Sequence, residues 1–411
     1  MKNKNILITG GLGFIGSHIT NKLIENNEIT IIDNLSTGKL DYLNNPNHEN
    51  LTLIKKDLNS LDLTANLKNI DYVFHLAAMA SVPLSVKNPI SCHMENVTTT
   101  VNLLNACVKN DVKKIVFSSS SAVYGNNTNM PLKENETPSP TSPYAASKAS
   151  CELYLKSFYE SYGLNYTALR YFNVFGPKQD KNSPYAAVIP NFINAILEDK
   201  QPVIYGDGEQ TRDFVYVGDV ANANINAAQS DFNGIVNVAS GKRITINQLY
   251  SIVKKTLNTN TEVEYLEERP GDIKHSHADI SNLKNINLQI NTENFEKQLI
   301  ETINWFKQEL IWINSIYFFN SNNGPLINNI KHQFLIQEYR ENWFLIISLL
   351  GIINYSPIAF DFSYMKSRPS TISMTITTTK VISYKTSGFG EFIKNKNELI
   401  YLINDYLEMI A

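Results

Sequence analysis

A tyrosine and a lysine stand four residues apart in Thr141-Ser142-Pro143-Tyr144-Ala145-Ala146-Ser147-Lys148, a spacing that sets both on one face of a helix. A phenol titrates near 10, so it needs roughly three units of lowering, about 4 kcal/mol, to act as a base at neutral pH, and an ammonium beside it acts in that direction. Upstream, Ser118-Ser119-Ser120-Ser121-Ala122-Val123-Tyr124-Gly125 places hydroxyls at the end of an apolar run, where they can bond the oxygen that the phenol deprotonates. Tyr144 is therefore a candidate general base, with Lys148 as the cation that tunes it.

A second constellation precedes this one. Thr9-Gly10-Gly11-Leu12-Gly13-Phe14-Ile15-Gly16 follows an apolar run and opens an amphipathic one, with glycines at 10, 13 and 16. Gly10 suits the tight turn, Gly13 the approach of a pyrophosphate to the backbone, and Gly16 the packing of helix on strand, with phosphate at the helix N-terminus. Asp33 comes twenty residues after Gly13, at the end of the next apolar run, where its carboxylate can accept hydrogen bonds from an adenosine ribose. The same carboxylate repels a 2′-phosphate, so NAD is expected rather than NADP, and its cationic nicotinamide adds to the lowering of the Tyr144 phenol.

These residues need a scaffold that brings distant segments together. Short Ile, Leu and Val runs at Ile6–Thr9, Ile29–Ile32, Leu51–Ile54, Tyr72–Leu76 and Ile115–Ser118 alternate with longer amphipathic stretches. That pattern predicts an α/β fold, a Rossmann-type doubly wound parallel sheet covered on both faces, over residues 1–176. Asp213–Val217 and Ile235–Val238 are expected as strands that return to it. Residues 177–310, with helices over Ile189–Glu198 and Ile246–Leu257, are expected as a smaller interleaved α/β lobe, and 311–411 as an appendage.

Composition sets the bounds. A length of 411 residues suggests two or three domains, and 43% hydrophobic with 18% charged residues is globular. Thirty-six Lys and Arg against 39 Asp and Glu give a net charge of −3, without the basic excess that a nucleic-acid partner requires. The three cysteines, Cys92, Cys107 and Cys151, form no CxxC pair, so neither a disulfide framework nor a zinc site is expected, and His275 and His277 lack a carboxylate cluster. A reducing, cytoplasmic setting follows. The chain opens directly into a strand with no signal-peptide core, and the apolar run Phe344–Ile353 is about half a membrane span, so no membrane insertion is expected.

With its GxxGxxG spacing and motif order, the chain resembles the extended short-chain dehydrogenase/reductase family over roughly residues 4–309. The resemblance implies that Ser120 is the catalytic hydroxyl beside Tyr144 and Lys148. It also implies NAD contacts from Phe14, Ile15, Asn34, Asp57, Leu58, Leu76, Ala77, Ala78, Asn96, Ser118 and Tyr171, besides the glycines and Asp33. Tight retention of NAD and a homodimer formed through the stretches after Asn96 and Tyr144 are implied as well.

Arg170-Tyr171-Phe172-Asn173-Val174-Phe175-Gly176-Pro177, Tyr205-Gly206-Asp207-Gly208, Arg212-Asp213-Phe214 and Arg269-Pro270-Gly271-Asp272 are similar to its sugar-nucleotide branch. The resemblance assigns Arg212 and Arg269 as a clamp on a diphosphate, a shape that suits guanidinium forks. It gives Asn173 the phosphate or sugar, Asp272 the uridine ribose, and further substrate contacts to Ser119, Ser120, Ala187, Val188 and Tyr205.

Dehydratases and decarboxylases of this branch carry acids just after the catalytic hydroxyl, whereas this chain has Ser121-Ala122. Oxidation at carbon 4, rotation of the keto sugar and return of the hydride make a 4-epimerase the expected activity. Phe172–Pro190 and Gly271–Asp279 are similar to UDP-N-acetylglucosamine 4-epimerases, and Ser276 stands where UDP-glucose-restricted relatives carry a tyrosine, leaving room for an N-acetyl group. UDP-glucose/UDP-galactose or UDP-uronate epimerisation remain alternatives, with a silent nucleotide-sugar sensor further off; supply of surface-polysaccharide synthesis is the expected setting. In the tail, Tyr355–Lys366, Gly388–Glu391 and Glu398–Glu408 resemble the end of CDP-glycerol glycerophosphotransferases. That family's Asp-Tyr-Ser-Ser reads Asn354-Tyr355-Ser356-Pro357 here. Its nucleotide-binding lobe is not seen ahead of this segment, so a remnant without transferase activity is expected.

Overall fold

The computed structural model describes residues 1–180, 187–268, 274–288, 290 and 294–320, the last eleven of these as backbone alone. Contacts divide the chain into two units, Met1–Gln308 and Glu309–Ala411, and the first holds the elements below except the end of the last helix, beyond Gln308. The tail motifs, Phe344–Ile353, Arg269 and Asp272 lie outside the described residues.

Seven strands form one parallel sheet: β1 (Asn5–Thr9), β2 (Glu28–Ile32), β3 (Leu51–Ile54), β4 (Tyr72–His75), β5 (Lys114–Ser120), β6 (Tyr166–Tyr171) and β7 (Gly234–Val238). Their spatial order is 3-2-1-4-5-6-7. Successive strand residues face opposite sides, so Ile6, Ile8, Phe74 and Val116 join one core while Leu7, Val73, Ile115 and Phe117 join another. This double burial is why the strands read as continuous apolar runs.

Helices α1 (Phe14–Leu23), α2 (Thr99–Lys109), α3 (Pro143–Tyr162), α4 (Val188–Leu197), α5 (Val217–Gln229), α6 (Ile246–Leu257) and α7 (Phe295–Asn320) complete the frame. α1 and α5 cover the first face through Ile19, Leu23, Val220 and Ala223. α2 and α3 cover the other through Leu103, Leu104, Cys151 and Leu155. A third core, with Phe192, Ile193, Leu249, Val253, Leu299, Ile303 and Phe306, builds the smaller lobe from α4, α6 and α7.

One expectation changes, and one strand is new. Asp213–Val217 does not rejoin the main sheet; Phe214–Tyr216 instead pairs in parallel with Asn173–Phe175 as a separate ribbon. The buried Asp213 carboxylate holds the segment there, accepting hydrogen bonds from Ser240 N and Oγ, Gly241 N and Ala278 N. Strand β6 carries no clear apolar signature, because Thr167 and Arg170 interrupt its run; both are nevertheless buried.

Candidate active site

The carboxyl ends of β1, β2, β4 and β5 open onto one cavity of about 300 Å³, the place where open parallel sheets bind ligands. Gly10, Gly13, Phe14, Ile15 and Gly16 line it after β1, Asp33 and Asn34 after β2, Asp57 and Leu58 after β3, and Leu76, Ala77 and Ala78 after β4. Ser118, Ser119, Tyr144, Lys148 and Tyr171 close its far end. Ile32, Ser36, Thr37, Lys56, Asn59, Ala80, Glu95 and Thr99 also line it. The first of these follow directly from the Asp33 position; Glu95 and Thr99 arrive through a π-helical turn, Met94–Thr98, for which the sequence carries no signal.

The glycine loop is shaped for a dinucleotide. Gly10 sits at φ +68°, and a Cβ on Gly16 would fall 2.1 Å from the Gly10 carbonyl oxygen. A Cβ on Gly13 would meet only the Gly10 oxygen, at 3.2 Å, so that side of the loop stays open. Asp33 accepts from Leu12 N at 3.0 Å and Leu35 N at 2.8 Å, which fixes its carboxylate beside the loop. Asn34 donates to Asp57 across the next strand end. A backbone cradle, an open helix N-terminus and a fixed carboxylate fit NAD.

Helix α3 begins where Ser142 caps it, its hydroxyl accepting from Ala145 N, with Pro143 at the first helical position. Tyr144 lies in the first turn, where the Ser120 hydroxyl is near enough to favour its ionised phenol. One turn on, Lys148 is 4% exposed and donates from Nζ to the Ser118 carbonyl at 2.7 Å. That ammonium is 4.8 Å from the Phe117 ring centroid and 5.9 Å from that of Tyr144. Burial pulls Lys148 down to about 8.

The expected lowering of Tyr144 by Lys148 is not seen. Burial pushes the phenol up, the Ser120 hydrogen bond works against it, and Cys92 adds to the rise. Lys148 Nζ donates to the Ser118 carbonyl and not to the phenol oxygen; a cationic nicotinamide held in the cavity would act in the lowering direction.

Three serines serve different ends. Ser118 Oγ bonds Tyr171 OH at 3.0 Å, and Tyr171 in turn donates to Asn224. Ser119 borders the cavity, but its Oγ is donated to Glu152 Oε1 at 2.5 Å, so that hydroxyl is not held ready for substrate. Ser120 also caps the turn after β5 by accepting from Ala122 N.

Asn96 does not line the cavity. Its amide clasps both polar groups of the Met79 backbone and the hydroxyl of Ser147, which ties the loop after β4 to α3. His75 is 1% exposed between Thr9 Oγ1 at 2.7 Å and Thr100 Oγ1 at 2.9 Å, and burial lowers it to about 3.

Of the substrate residues, Ser120, Asn173, Ala187, Val188, Tyr205, Arg212 and Ser276 do not line this cavity. Arg212 and Ser276 are neighbours: Ser276 N donates to Thr211 O, and Arg212 Nη1 donates to Thr211 O and Lys274 O. Among the described residues no cluster of His, Cys, Asp and Glu is arranged to hold a metal, and no helix is long and apolar enough to cross a membrane. His275 and His277 instead bond Thr211 Oγ1 and Gly241 O.

Comparison with known proteins agrees with this geometry. Residues 6–239 match the family described as NAD dependent epimerase/dehydratase. A Methanocaldococcus jannaschii protein provisionally named a UDP-glucose 4-epimerase is 42% identical over 306 residues, 74% of this chain and 98% of its own. The structure of a UDP-N-acetylglucosamine 4-epimerase from Methanobrevibacter ruminantium, in complex with UDP-N-acetylmuramic acid, is 63% identical with a TM-score of 0.75, covering 75% of this chain and 100% of that one. The UDP-glucose 4-epimerase of Thermotoga maritima, solved with UDP-glucose, is 38% identical with a TM-score of 0.71, covering 74% and 99%. A glycine cradle, a fixed Asp33 and a Ser120–Tyr144–Lys148 cluster thus sit in a chain that belongs to the NAD dependent epimerase/dehydratase family, among its isomerases.

Proposed function

We propose that this protein is a UDP-N-acetylglucosamine 4-epimerase that works through a transient 4-keto sugar. The observation that carries the reading is Tyr144 and Lys148 in the lining of the NAD-shaped cavity, with the Ser120 hydroxyl acting on the phenol and no acid following Ser120. Tyr144 takes the proton of the sugar 4-hydroxyl and Ser120 bonds the same oxygen. NAD, when bound, supplies an acceptor for the hydride of carbon 4 and gives it back. With Ser121 and Ala122 after Ser120, no side chain there promotes loss of water or carbon dioxide. The keto sugar therefore turns over, and Tyr144 returns the proton to an oxygen of opposite configuration.

Arg212 grips the diphosphate, with Arg269 as its counterpart and Asp272 on the uridine ribose. Ser276, adjacent to Arg212 in the fold, leaves space at carbon 2 for an N-acetyl group. The 63% identity to a UDP-N-acetylglucosamine 4-epimerase supports the acetylated substrate. UDP-glucose is the second reading, favoured by the names of the other two relatives. The enzyme is read as a cytoplasmic homodimer: Ile90 is 79% exposed, Leu153 69%, Tyr162 63% and Met94 48%, an apolar surface of the kind that pairs with a second copy.

The test incubates the purified protein with each UDP-sugar without added NAD and follows the anomeric protons by NMR. The galacto epimer should appear, faster from UDP-N-acetylglucosamine. Failure to convert either sugar, even with NAD supplied, would overturn the proposal. A Ser276→Tyr variant should lose the acetylated substrate selectively; unchanged activity on it would remove Ser276 as the gate.

A further inference from the structure

The phenol and ammonium ride on α3, while Ser118 and Ser120 belong to β5. A helix packed on a sheet shares no backbone hydrogen bonds with it, so side chains must set their relative position. Lys148 makes one such tie, to the Ser118 carbonyl. The next turn of α3 makes another: Glu152 follows Lys148 by four residues and is 4% exposed. Its Oε1 accepts from Ser119 Oγ at 2.5 Å and from Arg170 Nε at 2.9 Å, and its Oε2 accepts from Arg170 Nη2 at 2.7 Å.

Arg170 lies directly opposite Ser119 in the β5–β6 register and is 1% exposed. Its guanidinium stacks 4.6 Å from the Tyr124 ring centroid and donates to the Glu134 carbonyl. Tyr124 donates to Asn237 on β7. One charged fork therefore joins α3, β5 and β6 and reaches toward β7, immediately behind the reacting groups. Neither ion lines the NAD cavity. Removing two charges from water costs about as much as their attraction returns, so such a pair is a poor source of stability and a good source of geometry.

We propose that Glu152 and Arg170 are positioning residues, which through Ser119 fix the register of α3 on β5 and thereby the placement of Tyr144 against Ser120. This inference rests on Tyr144 as the proton-transferring group. The full chain with its bound NAD is compared as wild type, Ser119→Ala, Glu152→Gln and the double variant Glu152→Leu with Arg170→Met, on whichever UDP-sugar the wild type converts. Loss of register should lower kcat by about tenfold to a hundredfold with KM unchanged. NAD content should be retained and the acid limb of the pH profile should shift upward. The apolar double variant should keep a melting temperature near wild type yet show the same loss, a separation that a purely structural role would not give.

Wild-type kcat and an unmoved acid limb in folded, NAD-loaded Ser119→Ala protein would overturn the proposal. Ser119→Ala decides alone if the charge variants do not fold, because it leaves the ion pair intact. If the wild type converts no UDP-sugar, the functional reading fails separately. Register is then read from the Tyr144 phenol itself, as the ultraviolet titration difference against Tyr144→Phe. Ser119→Ala should shift that titration, and an unshifted curve would overturn the proposal.

Discussion

Two groups of the proposed reacting trio have roles that one substitution each isolates. Tyr144→Phe keeps the ring and removes the proton acceptor, so kcat should fall by about a thousandfold with NAD still bound, measured as epimer formed per holoenzyme. Lys148 carries its charge below its value of about 8 and loses it above, so activity that needs the ammonium should decline as pH rises through about 8. Lys148→Arg stays charged across that range, and any activity it retains should lack this alkaline limb. An alkaline limb of the same position in the arginine variant would assign the decline to another group. These two residues were legible from their spacing taken together with the glycine loop and the serine run, since a tyrosine and a lysine four apart are common on surface helices. The division of labour among Ser118, Ser119 and Ser120 was not, because four adjacent serines look alike until the pleat turns them to different faces.

At the scale of elements, the glycine loop makes a contrast of two positions. Gly16→Ala would drive a methyl into the Gly10 carbonyl at 2.1 Å, so the helix must shift and the variant should lose about 1–3 kcal/mol in urea unfolding. Gly13→Ala meets that oxygen at 3.2 Å, so it should fold near wild type while retaining about tenfold less NAD after gel filtration. Five of the seven sheet strands and helices α4 and α6 could be read from apolar runs and periodicity, and β7 from its position after them. Strand β6 could not, because its Arg170 is buried only through a glutamate on another element. The π-helical turn that aims Asn96 away from the cavity likewise depends on Ser147 of α3, a partner no local pattern announces.

The whole molecule responds to acid through a histidine it does not use in chemistry. His75 is lowered to about 3 by burial, whereas an unfolded histidine titrates near 6.5, so the unfolded chain binds the extra proton between these values. Its contribution is therefore intact above pH 6.5 and is lost as pH falls toward 3, about 2 kcal/mol by pH 5. Urea unfolding at pH 7 and pH 5 should show that loss, and His75→Asn should flatten it. A chain ending at Gln308 keeps every catalytic and cavity residue together with Leu299, Ile303 and Phe306 of the core. The Methanobrevibacter relative is fully covered by 75% of this chain. The shortened protein should fold and epimerise at a rate within about twofold of the full chain; a collapse in solubility or rate would show that the second unit is needed.

The cavity lining stops at Tyr171, yet the sheet is not finished until Gly234–Val238 docks beside Tyr166–Tyr171. The residues lining the cofactor cavity are thus written in the first half of the gene, while the strand that completes the sheet is written after the first part of the smaller lobe. A single crossover between two relatives near residue 176 would give one parent's sheet the other parent's last strand. Recombination that trades sugar preference must move the intervening loops and leave Gly234–Val238 with its own β6, so new specificities in this scaffold are reached more readily by loop exchange than by swapping halves.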